Sequence, residues 1–164
     1  MSRSYVTVKA AYANLARRSV LENTVKMAIV SPLLDVAGFF FPPFYVDTEE
    51  SVEIVSQDGE TIVRGRMDVL VLQERVWVLV IESKRAEFSV KVGIPQVLSY
   101  MLASPHPERS IYGLVTNGSN FVFLKLVRRE IPQYIRSQEF VLENPHDLDR
   151  VLQVLKQLAA IAAG

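Results

Sequence analysis

Apolar residues recur at helical spacing over residues 9–30, where Leu15, Val25 and Ile29 are interleaved with charged side chains, and predict a helix. Ser31-Pro32 restarts it, because serine can cap a new helix and proline fits a first-turn position that needs no amide. Gly38 supplies a terminator, and Phe39-Phe40-Phe41-Pro42-Pro43-Phe44 reads as a buried turn into a sheet. Strand patterns follow at 45–56, 61–72 and 76–84. The first two are joined through Asp58-Gly59, a strong hairpin signal, and the third returns after a tight turn at Gln73-Glu74-Arg75. Residues 90–103 predict a helix with Pro95 near its start, and 111–116 with 121–127 a hairpin around Asn117-Gly118. A last helix over 145–163 carries Leu148, Val151, Leu152, Leu155, Leu158 and Ile161 as one apolar stripe.

This order of elements predicts an α/β sandwich, a single domain over residues 1–164 with a mixed sheet of about five strands flanked by helices. At 164 residues and 49% hydrophobic content the chain is long enough for one genuine core. The 18 basic and 18 acidic side chains balance, so no global field draws in nucleic acid, and any phosphate-binding surface must be local. Candidates are Arg64 with Arg66, Lys84 and Arg85 with Lys91, and Arg128 with Arg129. The absence of cysteine excludes disulfides and thiolate-bound metal and fits a reducing cytoplasm. No signal-peptide pattern opens the sequence, and the apolar run over 36–46 is too short to span a bilayer, so a soluble, cytoplasmic protein is expected.

The chemistry concentrates in Arg64-Gly65-Arg66-Met67-Asp68 and Glu82-Ser83-Lys84, on neighbouring strands. Two carboxylates can hold a hard cation, and an ammonium beside them can orient water or offset negative charge. Glu82 and Lys84 differ by two positions and share a strand face. Whether Asp68 joins them depends on the turn. Pairing Gln73 with Arg75 sets Asp68 opposite Val80, and pairing Gln73 with Trp77 sets it opposite Glu82; both keep the acids on one face. Pairing Gln73 with Val76 separates them unless a bulge intervenes. Asp68 precedes Val69-Leu70-Val71-Leu72 and Glu82 follows Trp77-Val78-Leu79-Val80-Ile81, runs apolar at both parities that belong to strands covered on both sides. Carboxylates there are costly unless paired or metal-bound.

These residues resemble the PD-(D/E)XK nuclease superfamily, the restriction-endonuclease-like fold: Asp68 stands at the first acid and Glu82-Ser83-Lys84 at the tripeptide. Three further matches narrow the likeness towards the nuclease domain at the N-terminus of type I restriction enzyme motor subunits. They are Glu22 ahead of Ile29-Val30-Ser31-Pro32-Leu33-Leu34 and Gly38-Phe39, the Gln96–Tyr100 pair as a Gln-x-x-x-Tyr element, and Thr116-Asn117-Gly118 before Phe121-Val122-Phe123. Met67 departs from the proline that often precedes the first acid. No ATPase segment accompanies these motifs, so a full motor subunit is not expected.

The resemblance implies a three-layer core and metal-dependent hydrolysis of DNA phosphodiester bonds. Asp68, Glu82 and the main-chain carbonyl of Ser83 would hold Mg²⁺ or Mn²⁺, and Lys84 would position the attacking water. Glu22, Gln96 and Tyr100 are accessory candidates. Blander readings stand beside each: Glu22 as a solvated partner of Lys26 one turn on, Gln96 and Tyr100 as packing, Asn117 as a turn residue. Two alternatives to a nuclease remain at this level, a nuclease-fold module for nucleic-acid binding or protein assembly without turnover, and an α/β protein with a buried Glu82–Lys84 ion pair. The stripe on the last helix suggests a homodimer.

Overall fold

In the computed structural model, which describes residues 3–15, 21–55, 59–60 and 62–163, runs apolar at both parities become the middle of a mixed sheet. Its strands are β1 (Phe44–Val55), β2 (Ile62–Gln73), β3 (Val76–Ser83), β4 (Ile111–Thr116), β5 (Asn120–Arg128), β6 (Pro132–Arg136) and β7 (Phe140–Val141). They lie in the order β1-β2-β3-β4-β5-β6, with β7 also on β5. Only the β3–β4 pair is parallel. A parallel neighbour needs a crossover. It is made by α4 (Ile94–Leu102), entered through a 3₁₀ turn at Val90–Gly93.

Helices α1 (Arg3–Leu15), α2 (Glu22–Val25), α3 (Ser31–Ala37) and α5 (Asp147–Ala163) complete the chain. Two apolar clusters fill the space between sheet and helices. Val8, Leu33, Leu34, Val151 and Leu155 pack with Val69, Val71, Ile81 and Phe121 on one face, and Val97, Tyr100 and Met101 of α4 pack with Leu70, Val80 and Val122 on the other. The result is the expected mixed α/β architecture with helices on both faces of the sheet, compatible with a restriction-endonuclease-like core. Gly113 lets α4 come down on β4, since a Cβ there would lie 2.6 Å from Val97 Cγ1.

Several expectations change. The predicted helix over 9–30 is interrupted: Leu21 is extended, at φ −71° and ψ 156°, ahead of α2. Ser31 does not cap a new helix. Its backbone is helical, at φ −58°, and the chain passes from α2 into α3 through a π-helical turn at Lys26–Val30, in which Ser31 N–H donates to the Lys26 carbonyl. Pro32 has no amide to donate one turn back, and a widened turn carries the chain past it. Phe39 is buried, but Phe40 and Phe41 are exposed, so the aromatic turn is only partly interior.

The sheet has two strands more than expected. Strands β6 and β7 lie along the same edge of β5; all of β6 is exposed and it opens on Pro132. An edge strand of this kind carries no buried alternation for a sequence reading to detect. In α5 every apolar stripe residue except Ile161 is buried in the chain's own core, so that face lends no support to a homodimer. Residues 56–58 of the Asp58-Gly59 turn lie outside the described residues; Gly59 has φ +73°. Among the described residues, no helix is long and apolar enough to cross a membrane.

Candidate active site

Strands β2 and β3 are joined by a tight turn, with Gln73 opposite Val76 and Leu72 opposite Trp77. Continued unbroken, that register would send Asp68 and Glu82 to opposite faces. A bulge in the ladder after Val71 corrects it: Val71 stands opposite Leu79, Leu70 opposite Val80 and Val69 opposite Ile81, leaving Val78 as the extra residue on β3. One step on, Asp68 falls opposite Glu82. Its Oδ2 accepts a hydrogen bond from the main-chain N–H of Ser83 at 2.9 Å, which ties the first acid to the tripeptide.

A second irregularity lies on the other side of Asp68. Between the pairs Thr48–Val69 and Glu50–Met67, Glu49 faces Asp68 without pairing, and Glu49 has φ +57°. The strand faces exchange across this point: Val52 and Met67 pack towards α4, whereas Val46 and Val69 pack towards the other helical layer. Asp68 therefore sits between a bulge on β3 and a left-handed residue on β1.

Four charged groups meet here. Lys84 Nζ lies 3.5 Å from Glu82 Oε1, and Lys26 Nζ lies 3.8 Å from Asp68 Oδ1. Lys84 Nζ also donates to Gln96 Oε1 at 2.7 Å, and Gln96 Nε2 donates to the Tyr100 hydroxyl at 2.8 Å. Gln96 and Tyr100 thus join the cluster as a relay from α4. The Lys84 stem is held from behind, because a Cβ at Gly93 would come within 3.2 Å of its Cε.

Glu82 is 4% exposed, and its Oε2 has no hydrogen-bond partner. Burial and then the neighbouring Asp68 charge outweigh the opposing pull of Lys84 and raise its carboxyl from the ordinary 4.5 to about 7, with Glu22 adding a smaller push. A buried carboxylate oxygen left unpartnered is costly, and a cation is the partner it fits. Among the described residues, no group of three or more His, Asp or Glu side chains is placed to hold a metal ion. A cation here would be held by the two carboxylates with main-chain oxygen or water, a donor set suited to Mg²⁺.

Glu22, half-buried, is close enough for its charge to act on Glu82. The Glu22–Lys26 pair, the blander of the two readings of Glu22, does not form among the described residues, and Lys26 turns to Asp68 instead. Asn117 serves the turn: its Oδ1 accepts from the Ser119 and Asn120 amides, and its Nδ2 donates to the Phe88 carbonyl. Of the basic candidates, Arg128 is committed to the Leu102 and Ser104 carbonyls at the end of α4, while Arg64 and Arg85 pair with Glu53 and Glu87. Lys26 and Glu49 are site neighbours that the sequence reading missed. The Glu22–Lys26 spacing was a signal for Lys26, but it named the wrong partner.

Gly65, one strand position pair before Met67, gives the relay its floor. A Cβ there would come 2.7 Å from Tyr100 Cε1 and 3.0 Å from its hydroxyl. Gly65→Ala should push Tyr100 aside, loosen Gln96 and slow turnover of any reaction that uses Lys84 about tenfold, because small misplacements of a catalytic group carry losses of this order or more. Steady-state rates compared with the thermal midpoint separate that effect from unfolding, and an unaltered rate contradicts it.

Comparison with known proteins places the architecture. No protein-family model matches the chain, and no curated protein matches it. A solved structure does: a fragment assigned as an HsdR subunit of a type I restriction enzyme from Vibrio vulnificus YJ016. The TM-score is 0.51 at 18% identity, over 84% of this chain and 26% of that one. What they share is the fold. The chain thus spans about a quarter of that neighbour's length.

Proposed function

We propose that this chain is a metal-dependent nuclease domain of the PD-(D/E)XK type that hydrolyses DNA phosphodiester bonds. The observation that carries the reading is the convergence of Asp68 and Glu82 across the bulged hairpin, with Glu82 Oε2 buried and unpartnered and the Lys84 ammonium beside it. Likeness in fold to a restriction-enzyme fragment supports it.

Asp68, Glu82 and the Ser83 main-chain carbonyl would hold Mg²⁺ or Mn²⁺. When bound, such an ion polarises a phosphoryl oxygen and lowers the pKa of coordinated water. Lys84, kept in place by Gln96 and Tyr100, orients the attacking water and offsets negative charge developing on the phosphoryl group. The Ser83 amide fixes the Asp68 carboxylate so that its remaining oxygen faces the site. Glu22 adds negative charge at the rim and favours cation entry.

A second reading has its own observation. Each acid already has an ammonium partner, Asp68 in Lys26 and Glu82 in Lys84, as a nuclease fold retained for binding or assembly would need. Metal binding separates the two. For the nuclease, Mg²⁺ or Mn²⁺ at a hundred times its dissociation constant should stabilise the fold by about 2.7 kcal/mol. Asp68→Asn should remove that shift along with cleavage of supercoiled plasmid. If no divalent ion moves the wild-type midpoint, the metal site and the nuclease assignment both go.

A further inference from the structure

Lys26 has no part in the motif-based site, yet its ammonium reaches the centre of it. The residue opens the π-helical turn at Lys26–Val30, and its side chain is 16% exposed beside Asp68 at 19%. Turns of this type occur frequently at functional sites. The two oxygens of Asp68 are not equivalent. Oδ2 already accepts from the Ser83 amide at 2.9 Å, so Oδ1, the oxygen facing Lys26, is the less occupied of the two for a metal ion.

At 3.8 Å the ion pair is too long for a hydrogen bond, so little beyond Coulomb attraction holds the ammonium there. Lys26 also lines an open cleft of about 550 Å³ whose walls are mostly apolar, Met27, Leu34, Phe40 and Val69 among them, with Glu49 as its other charged residue. Its flexible stem can swing the charge between the carboxylate and that cleft. A compact ammonium on such a stem is an apt partner for a phosphate.

We propose that Lys26 is a second cationic residue of the site, holding Asp68 Oδ1 when no metal is bound and passing to a backbone phosphate of DNA when metal takes that oxygen. The inference rests on the nuclease reading and deepens it. With the metal absent, each of the two acids has an ammonium neighbour, Lys26 beside Asp68 and Lys84 beside Glu82. A dication arriving at Asp68 brings two positive charges beside the Lys26 ammonium, which repels Lys26 and makes the site more attractive to a phosphodiester. The same side chain thus competes with the metal and assists the substrate, and removing it should move the two affinities in opposite directions.

The test uses the full chain and three variants, Lys26→Met, Lys26→Gln and Lys26→Arg, with thermal midpoints confirming that each folds. Calorimetric titration with Mn²⁺ alone should show Lys26→Met and Lys26→Gln binding about threefold to tenfold more tightly than wild type, as expected on losing a partly exposed competing charge. Binding of a DNA duplex in Ca²⁺, followed by fluorescence anisotropy across a salt series, should be weaker, with the log–log slope reduced by about one. Lys26→Arg should keep the wild-type slope. Unchanged or weaker Mn²⁺ binding together with an unchanged slope in both neutral variants overturns the proposal and leaves Lys26 a structural tie. If wild type binds no Mn²⁺, or binds it equally well as Asp68→Asn, the nuclease reading fails and this inference with it. If wild type binds through Asp68 and cuts DNA while the neutral variants match it in both assays, this inference alone fails.

Discussion

Lys84→Met should reduce metal-dependent DNA cleavage by at least about a hundredfold without abolishing Mn²⁺ binding. The magnitude follows from what one preorganised group aimed at developing charge contributes in a site largely closed to water. Lys84 is 15% exposed on its side chain and is gripped by Gln96 at 2.7 Å, so its position is set before any substrate arrives. Methionine keeps most of the stem volume against Gly93 and removes only the charge and its donors. Nicking rates at saturating Mn²⁺, set beside calorimetric Mn²⁺ affinity, separate loss of catalysis from loss of the metal. A rate within threefold of wild type would leave Lys84 as a structural counter-ion. The catalytic assignment would then have no support.

The second large effect is on stability against pH in the metal-free protein. Folding raises the Glu82 carboxyl from 4.5 to about 7, so between those values the folded state holds a proton that the unfolded chain has released. Stability falls with rising pH wherever the native state binds more protons. The contribution of Glu82 is therefore most favourable below pH 4.5 and is lost as pH rises through about 7, in all about 3 kcal/mol. Glu82→Gln keeps the shape and cannot ionise. Relative to that variant, wild type in EDTA should lose about that amount between pH 4.5 and 8, read as the difference between urea midpoints multiplied by the common slope. A difference that stays constant, or that moves in favour of wild type as pH rises, rules out a buried, proton-holding Glu82. Metal binding requires the carboxylate, so Mn²⁺ affinity should climb over the same range and level off above it.

Neither experiment depends on the whole of the neighbouring enzyme. The HsdR fragment is far longer than this chain, and the likeness at 18% identity is one of fold. For the proposed nuclease, substrate form and site preference would come from surfaces that the four-charge cluster does not define. Exposed Arg66, Lys91 and Arg129 remain as basic candidates for those surfaces, whereas Arg128 is spent on the end of α4.

Much of the fold was legible because burial leaves a strong mark on sequence. The limits of β2, β3, β4 and β5 fall within a residue or so of the apolar runs that predicted them, since strands covered on both faces admit few polar side chains. Strands β6 and β7 left no such mark. β6 is exposed throughout and held by hydrogen bonds to β5, which every sequence can make, and β7, although its Phe140 is buried, is only two residues long, too short to show an alternation. The helix break at Leu21 and the π turn before Pro32 escaped for a different reason. Both follow from how the segment packs over the sheet, and local propensity alone favoured a continuous helix there followed by a capped restart.

The site divides in the same way. Residue types and spacings nominated Asp68, Glu82 and Lys84, because two acids and a lysine in apolar strands demand partners, whereas Gln96 and Tyr100 were nominated by the family resemblance, their four-residue spacing adding only a common helix face. Whether the acids meet was left open between registers, and a tight turn was the case that kept them apart. The tertiary structure decided it with one extra residue, Val78, which the packing of β3 between two helical layers absorbs and no local pattern announces. It decided the partner of Lys26 too, since helix spacing offers Glu22 and only the fold brings Asp68 within reach. The sequence thus determined which groups are present and which must be buried, as burial is written in hydrophobicity; the relative position of groups on separate elements depends on register and packing, which are properties of the assembled chain.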